Sequence, residues 1–254
     1  MEKIRKPFQG VINIVRFNWH LYLLAALFVV ALVAVNAVTG NRFLIFFLTI
    51  AVVVMLSILI SLFVSFYIYD LSPLYTLNWL DKVPINGKGK LVNINAGFDE
   101  TSTLLQHKFK DAQLTVYDFY DPQKHTEISL RRARKAYPPF TGTQAVSTSS
   151  LPLQSGSIDA VFLLLSAHEI RNSHEGDQFF KELARVVKAD GKIIITEHIR
   201  NNANFLAYNI GAFHFHTRRA WLRVFKKGNF TIVNEIKTTP FITTFILQKN
   251  GTAP

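Results

Sequence analysis

The stretch that decides the fold is Ser157-Ile-Asp-Ala-Val-Phe-Leu-Leu-Leu165, then a helix-patterned segment from Gly176 to Val187, then Ala189-Asp-Gly-Lys-Ile-Ile-Ile-Thr-Glu-His198. The centres of both outer runs, Ala160 to Leu165 and Ile193 to Ile195, are wholly apolar, the pattern of strands covered on two faces, and the segment between them has amphipathic helical spacing. Two such strands joined by one helix make a βαβ unit, from which parallel sheets are built.

Outward from that unit the same alternation continues with short connections. Lys90 to Ile94 reads as a first strand, Thr101 to Phe109 as a helix, Gln113 to Tyr117 as a second strand, His125 to Ala136 as a helix and Gln144 to Val146 as a short third strand. The fourth and fifth strands are Ala160 to Leu165 and Lys192 to Glu197. Towards the C-terminus, Thr217 is placed to cap a helix running to Lys227, with Gly228 to close it. Thr231 to Lys237 and Phe241 to Gln248, separated by Thr238, Thr239 and Pro240, then read as a hairpin of two strands.

The N-terminal region is of another kind. Leu21 to Val38 and Phe43 to Tyr69 carry no charge, and each is long enough to cross a hydrocarbon core of about 30 Å. A cleavable leader does not fit, because the second run follows after only Thr39, Gly40, Asn41 and Arg42. A helical transmembrane hairpin is therefore expected. Lys3, Arg5, Lys6 and Arg16 precede it and only Arg42 lies in the loop, which places the N-terminus and the following domain on the cytoplasmic side. Tyr67, Tyr69, Tyr75 and Trp79 are expected to form an interfacial aromatic belt. The domain plan is an anchor over 1–70 with spans of about 21–38 and 43–69, an interfacial linker over 71–89 and one α/β domain over 90–254. Ala25, Ala26, Ala31 and Ala34 offer small surfaces for pairing with a second copy.

Composition excludes several classes. The 254-residue chain has no cysteine, which removes disulfides, thiol nucleophiles and thiolate metal sites. Its net charge of +11 is dispersed with no nucleic-acid module, so no nucleic-acid partner is expected. The basic run Arg131-Arg-Ala-Arg-Lys135 suits either anionic lipid head groups or a solvated helix face.

The chemistry-bearing residues collect at strand ends. Leu91-Val-Asn-Ile-Asn-Ala-Gly-Phe-Asp-Glu-Thr-Ser102 closes the first strand, Val116-Tyr-Asp118 the second, Leu151-Pro-Leu153 is a turn before the fourth, and Ser166-Ala-His-Glu-Ile-Arg-Asn172 follows the fourth. Ligands of open α/β sheets bind at these carboxyl ends. The set resembles class I S-adenosylmethionine (SAM)-dependent methyltransferases over about Lys90 to Lys249. Asn204-Phe-Leu-Ala-Tyr208, Phe213-His-Phe-His216 and Arg218-Arg-Ala-Trp-Leu222 are similar to bacterial type 11 members of that family.

The resemblance implies a Rossmann-like sheet with a C-terminal antiparallel hairpin, and SAM as cofactor. Its glycine loop is degenerate: Asn93 stands at the acidic position, Asn95 and Asp99 replace glycines, and Gly97 keeps the central one. Asp118 matches the carboxylate that holds the ribose hydroxyls, with Asp121 as a second choice, while Ser147 and Thr148 stand where an acidic residue meets adenine.

His168 and Glu169 are the expected catalytic pair, the histidine as a base for a hydroxyl or phenol. Asn172 and His174 are left without a role. His198, Tyr208, His214 and His216 are expected to line the substrate pocket. A metal held by His168, Glu169, His198 and the 214/216 pair is geometrically possible, but no established ligand spacing supports it and none is expected.

Anchor and domain together imply an inner-membrane enzyme of bacterial type that methylates a lipid, a quinone-like phenol or a lipidic metabolite. Helix Arg218 to Lys227, with Trp221 and Phe225 among cations, is expected to help dock it on the bilayer. The alternative is a catalytically inactive methyltransferase-like scaffold that holds a partner protein. A nicotinamide-dependent reductase lacks its glycine pattern and its Tyr-x-x-x-Lys pair.

Overall fold

The computed structural model describes residues 5–251. Lys3 of the basic N-terminal cluster, and the outermost residues of the first and last expected domains, lie outside them. A seven-stranded sheet runs in the order β3-β2-β1-β4-β5-β7-β6. Its strands are β1 Lys90–Asn95, β2 Gln113–Asp118, β3 Gln144–Ala145, β4 Ile158–Leu164, β5 Val187–His198, β6 Phe230–Lys237 and β7 Ile242–Lys249.

The first five strands are parallel, and β7 lies antiparallel between β5 and β6. This is the Rossmann-like sheet with a closing antiparallel pair. Strand order reverses between β1 and β4, which opens a crevice at their carboxyl ends.

The expected helices form as α3 Ser102–Lys108, α4 Ile128–Ala136, α5 Ser173–Val186 and α7 Arg218–Lys227, with an additional short α6 Asn202–Tyr208. Asn172 caps α5 by accepting from the backbone of His174 and Glu175, and Thr217 caps α7 through Ala220 N at 3.1 Å. Gly228 ends α7 with φ −77°, and the left-handed residue is Asn229, at φ +60°. Glycine is needed at 228 because a Cβ there would come within 2.9 Å of Phe180.

One face of the sheet is packed by Phe179, Phe180 and Leu183 of α5 with Trp221 and Phe225 of α7. Trp221 and Phe225 are 3% and 2% exposed, so α7 does not present them to a membrane as expected. The other face is covered by the segment anticipated as an interfacial linker. Leu77, Trp79, Leu80 and Val83 are buried there against Leu91, Phe162 and Ile194, beside Leu105 of α3, because their apolar spacing finds the part of the sheet that α3 leaves uncovered.

The N-terminal hairpin consists of α1 Gln9–Val38 and α2 Leu44–Phe66, the latter prolonged by a π-helical turn, Tyr67–Leu71. A kink at Asn18 divides α1 into a half docked on the domain and an exposed apolar half. The docked half is held by polar ties. Asp70 accepts from Gly10 N at 2.7 Å and Val11 N at 2.8 Å, satisfying donors left over at the helix start.

Glu100 accepts from Arg5, Gln9, Asn13 and Tyr75, and Tyr137 donates to Asn13 at 2.9 Å. Beyond the kink the chain is bare: of the most apolar window in each helix, 6% and 0% is buried. The expected aromatic belt does not form. Tyr69, Tyr75 and Trp79 turn inward to His198, Glu100 and the carbonyl of Leu74, where their polar tips find partners.

Candidate active site

The carboxyl ends of β1, β4 and β5 face α1 on both sides of its kink, and α2 at Ser61, across a cavity of about 470 Å³. Phe17, Leu21, Tyr22 and Ser61 form its helical wall; His168, Glu169, His198, Tyr208 and His214 form the sheet-edge wall. Ala96, Phe98 and Glu100 of the loop after β1 also reach it. Leu165 opens the site by turning the chain at the end of β4 with φ +56°, a left-handed conformation that costs a side-chain-bearing residue about 1 kcal/mol or more.

At the β1 and β2 ends the loop is built from side-chain caps. Asn95 Oδ1 accepts from Gly97 N at 3.0 Å, and Gly97 sits at φ +91°, where a Cβ would lie 2.9 to 3.0 Å from Arg134 and Tyr120. Asn93 donates to Thr101 and Ser102 at 3.0 and 2.8 Å. Asn93 Oδ1 and Asn95 Nδ2 remain buried without a partner, and such groups await one.

Asp118 accepts from Tyr120 N at 2.8 Å, while its other oxygen pairs with Arg134, whose guanidinium also lies over the Tyr120 ring. These features fit SAM: orphaned amide atoms, a glycine that admits close approach and a carboxylate at the ribose position. Arg134, 43% exposed, would have to yield its place on that carboxylate. Arg132 bonds the carbonyl of Phe17 at 2.7 Å, so two cations of the basic run serve contacts within the chain.

Thr148 donates to Glu175 at 2.6 Å. Ser147 stands exposed in a turn, bonded to Ser149.

The sheet-edge wall is a titratable cluster. His168 Nδ1 meets Glu197 Oε2 at 2.7 Å, and His168 Nε2 lies 3.5 Å from Glu169. Burial alone would lower the His168 pKa, but the Glu197 and Glu169 carboxylates outweigh it and hold the imidazole well above its ordinary value.

Burial would raise Glu169, yet its bond to His168 and the nearby His214 and Arg171 charges hold it below the usual carboxylate range. His214 reaches Glu127 at 2.7 Å and Glu169 at 3.9 Å.

His198 behaves in the opposite way. Asn204 Nδ2 donates to the carbonyls of Ile199 and Phe241, so Asn204 Oδ1 accepts from His198 Nδ1–H at 3.1 Å. His198 Nε2 is then the acceptor for the Tyr69 hydroxyl at 2.8 Å. Burial depresses this histidine to about 3 and raises Tyr208 to about 12, which leaves both neutral.

His216 is not brought to the cavity wall. It packs edge-on against Trp221 at 5.3 Å between centroids, because His214 ends a 3-10 turn, Asn209–His214, so the two histidines do not share a face as they would in extended chain.

Sequence reasoning missed Glu197, Asn204, Glu100, Glu127 and Tyr69. Only Glu197 carried a signal, being a carboxylate inside an apolar strand, where an unpaired charge is rarely buried.

No curated protein matches the chain. The family model described as a methyltransferase domain matches residues 92–195. Among solved structures, a Pyrococcus horikoshii OT3 protein is similar at 17% identity over 69% of this chain and 88% of its own, with TM-score 0.52. A SAM-dependent methyltransferase from Aquifex aeolicus shares 11% identity over 71% and 94%, with TM-score 0.50. Geranyl diphosphate C-methyltransferase from Streptomyces coelicolor A3(2) shares 13% over 69% and 78%, also at 0.50. At these identities the structural likeness speaks for the fold, and with the domain match it supports a SAM-dependent methyltransferase with SAM as its cofactor.

Proposed function

We propose that the chain is anchored in a bilayer by α1 and α2 and methylates a lipophilic or amphipathic small molecule held between the hairpin and the sheet edge. The observation that carries this reading is the cavity itself, walled on one side by the apolar helices and on the other by the titratable cluster. Leu21 to Val38 extends about 27 Å beyond the docked half at 1.5 Å per residue, close to a hydrocarbon core. The cavity then sits at the membrane surface, open to a molecule that partitions there. Leu206, Ile210 and Phe213, 71%, 83% and 60% exposed, continue the apolar surface beside α2 and take the bilayer-facing part first expected of α7.

SAM supplies an electrophilic methyl group when bound. Asp118 would accept from its ribose hydroxyls, Asn93, Asn95 and Gly97 would meet its amino-acid end, and Ser147 with Thr148 would border adenine. On the acceptor side, His168 and Glu169 orient the polar end while His198, Tyr208 and His214 shape the wall. The apolar helices exclude water and align the tail, which is the positioning that an in-line transfer requires. The domain and the N-terminus are placed on the cytoplasmic face by the basic N-terminal flank.

The test uses the full chain in phospholipid vesicles with methyl-labelled SAM and a membrane lipid extract. Label in the organic phase is expected. Bound SAM with label only in water-soluble products would overturn the lipophilic acceptor. One observation favours the inactive scaffold, namely Arg134 lying on Asp118; absence of SAM binding by folded protein would establish that reading instead.

A further inference from the structure

Three side chains on the cavity wall are arranged as metal ligands. His168, Glu169 and His214 each present one donor atom, all within 4.8 Å of one another. His168 Nε2 and His214 Nε2 lie 3.5 and 3.9 Å from the same Glu169 oxygen. Zinc bonds of about 2.0 to 2.2 Å at tetrahedral angles would set such atoms about 3.3 to 3.5 Å apart. The two pairs with Glu169 are close to that spacing, and the three donors together lie within 4.8 Å.

The outer contacts point the same way. A metal-binding histidine usually donates its second ring N–H to a carboxylate, which fixes its tautomer and aims the other nitrogen at the ion. Both histidines have such a partner. His168 Nδ1 meets Glu197 Oε2 at 2.7 Å, and Glu197 is fully buried; His214 Nδ1 meets Glu127 Oε1 at 2.7 Å. Two independent elements, β5 and the residue before α4, thus orient two imidazoles towards one carboxylate.

We infer that His168 Nε2, His214 Nε2 and a Glu169 oxygen bind one divalent transition-metal ion, with Glu197 and Glu127 as outer supports and the remaining position facing the cavity. Two imidazoles and one carboxylate favour zinc-like ions over magnesium, which prefers an all-oxygen octahedron. An ion with an open position draws in an oxygen and lowers its pKa. On the methyltransferase reading that oxygen belongs to the acceptor, a phenol or hydroxyl; the ion-binding claim itself does not depend on that reading.

Arg171 is the cation that competes. It donates to Glu127 Oε1 at 2.7 Å and lies on both nitrogens of the His214 ring, 3.1 Å from the proposed ligand atom Nε2, so an ion is expected to displace it towards solvent.

The test is calorimetric titration of chelator-treated, untagged full-length protein in detergent with Zn²⁺ and with Mg²⁺, alongside the visible spectrum with Co²⁺. One Zn²⁺ per chain, weak Mg²⁺ binding and a tetrahedral Co²⁺ band are expected. His214→Ala should weaken Zn²⁺ by more than tenfold, Glu127→Gln by about tenfold, and Arg171→Gln should tighten it. Unchanged melting temperatures would show that the variants fold.

No stoichiometric Zn²⁺ binding, or equal binding by His214→Ala, overturns the site. SAM binding is measured on the same samples. Zn²⁺ binding without SAM binding would remove the methyltransferase reading and leave the metal site; the reverse would remove the metal site alone.

Discussion

Asp118 and Arg134 form a pair whose two members have opposed consequences for the cofactor. The carboxylate offers the acceptor a ribose would use, and the guanidinium occupies it. A charge-assisted hydrogen bond contributes about 1.5 to 3 kcal/mol, so Asp118→Ala is expected to weaken SAM binding more than tenfold by calorimetry, whereas Arg134→Gln should strengthen it.

His198 gives a second prediction at this scale. Burial depresses its pKa from 6.5 to about 3; a base whose folded pKa lies below its unfolded one stabilises the fold fully above the unfolded value. That stability is lost as pH falls from about 6.5 towards 3. Thermal melts in detergent from pH 7 to 4 should fall more steeply for the natural chain than for His198→Gln, and parallel curves would refute the assignment.

At the level of elements, the informative unit is the hairpin and its seat on the sheet. Glu100, from the loop that follows β1, gathers four donors from residues 5 to 13 and Tyr75. Removing it strands the mostly buried Arg5 cation and two amides. Breaking a buried pair in this way costs about 3 kcal/mol or more, so Glu100→Ala should lower the melting temperature and increase proteolysis near Arg5. The cavity wall can be altered without touching the β1 loop. Ser61→Phe, which fills the helical side, is expected to raise KM for a lipophilic acceptor several-fold while SAM binding stays constant. An unchanged KM would place the acceptor elsewhere.

For the whole molecule, two apolar helices leave the domain side by side with almost nothing covering them. A surface of that extent is far larger than the apolar patches usual on soluble monomers, and on the proposed anchoring a bilayer would cover it. Topology is directly measurable because the chain has no cysteine. In intact cells an impermeant maleimide should label Asn41→Cys in the loop between the helices, and Thr141→Cys only after permeabilisation. The opposite pattern would invert the orientation.

The sequence by itself determined what local pattern can encode: apolar runs on both sides of α5, period-3.6 faces, caps at Thr217 and the two long uncharged helices. These depend on neighbours in the chain, so the succession of strands and helices along it and even Asp118 at a strand end were legible. Only the tertiary structure decided which distant groups meet. Residues 71–89 read as a linker because their apolar positions show no partner until the folded sheet face is present. Tyr69, Tyr75 and Trp79 looked like a belt for the same reason. His168 was read with Glu169 as a pair, yet its closest partner is Glu197 on another strand, and His214 joins the cluster although no ligand spacing in the chain announces it. Electrostatics acts through space at a few ångströms, and folding brings together charges that the sequence leaves far apart.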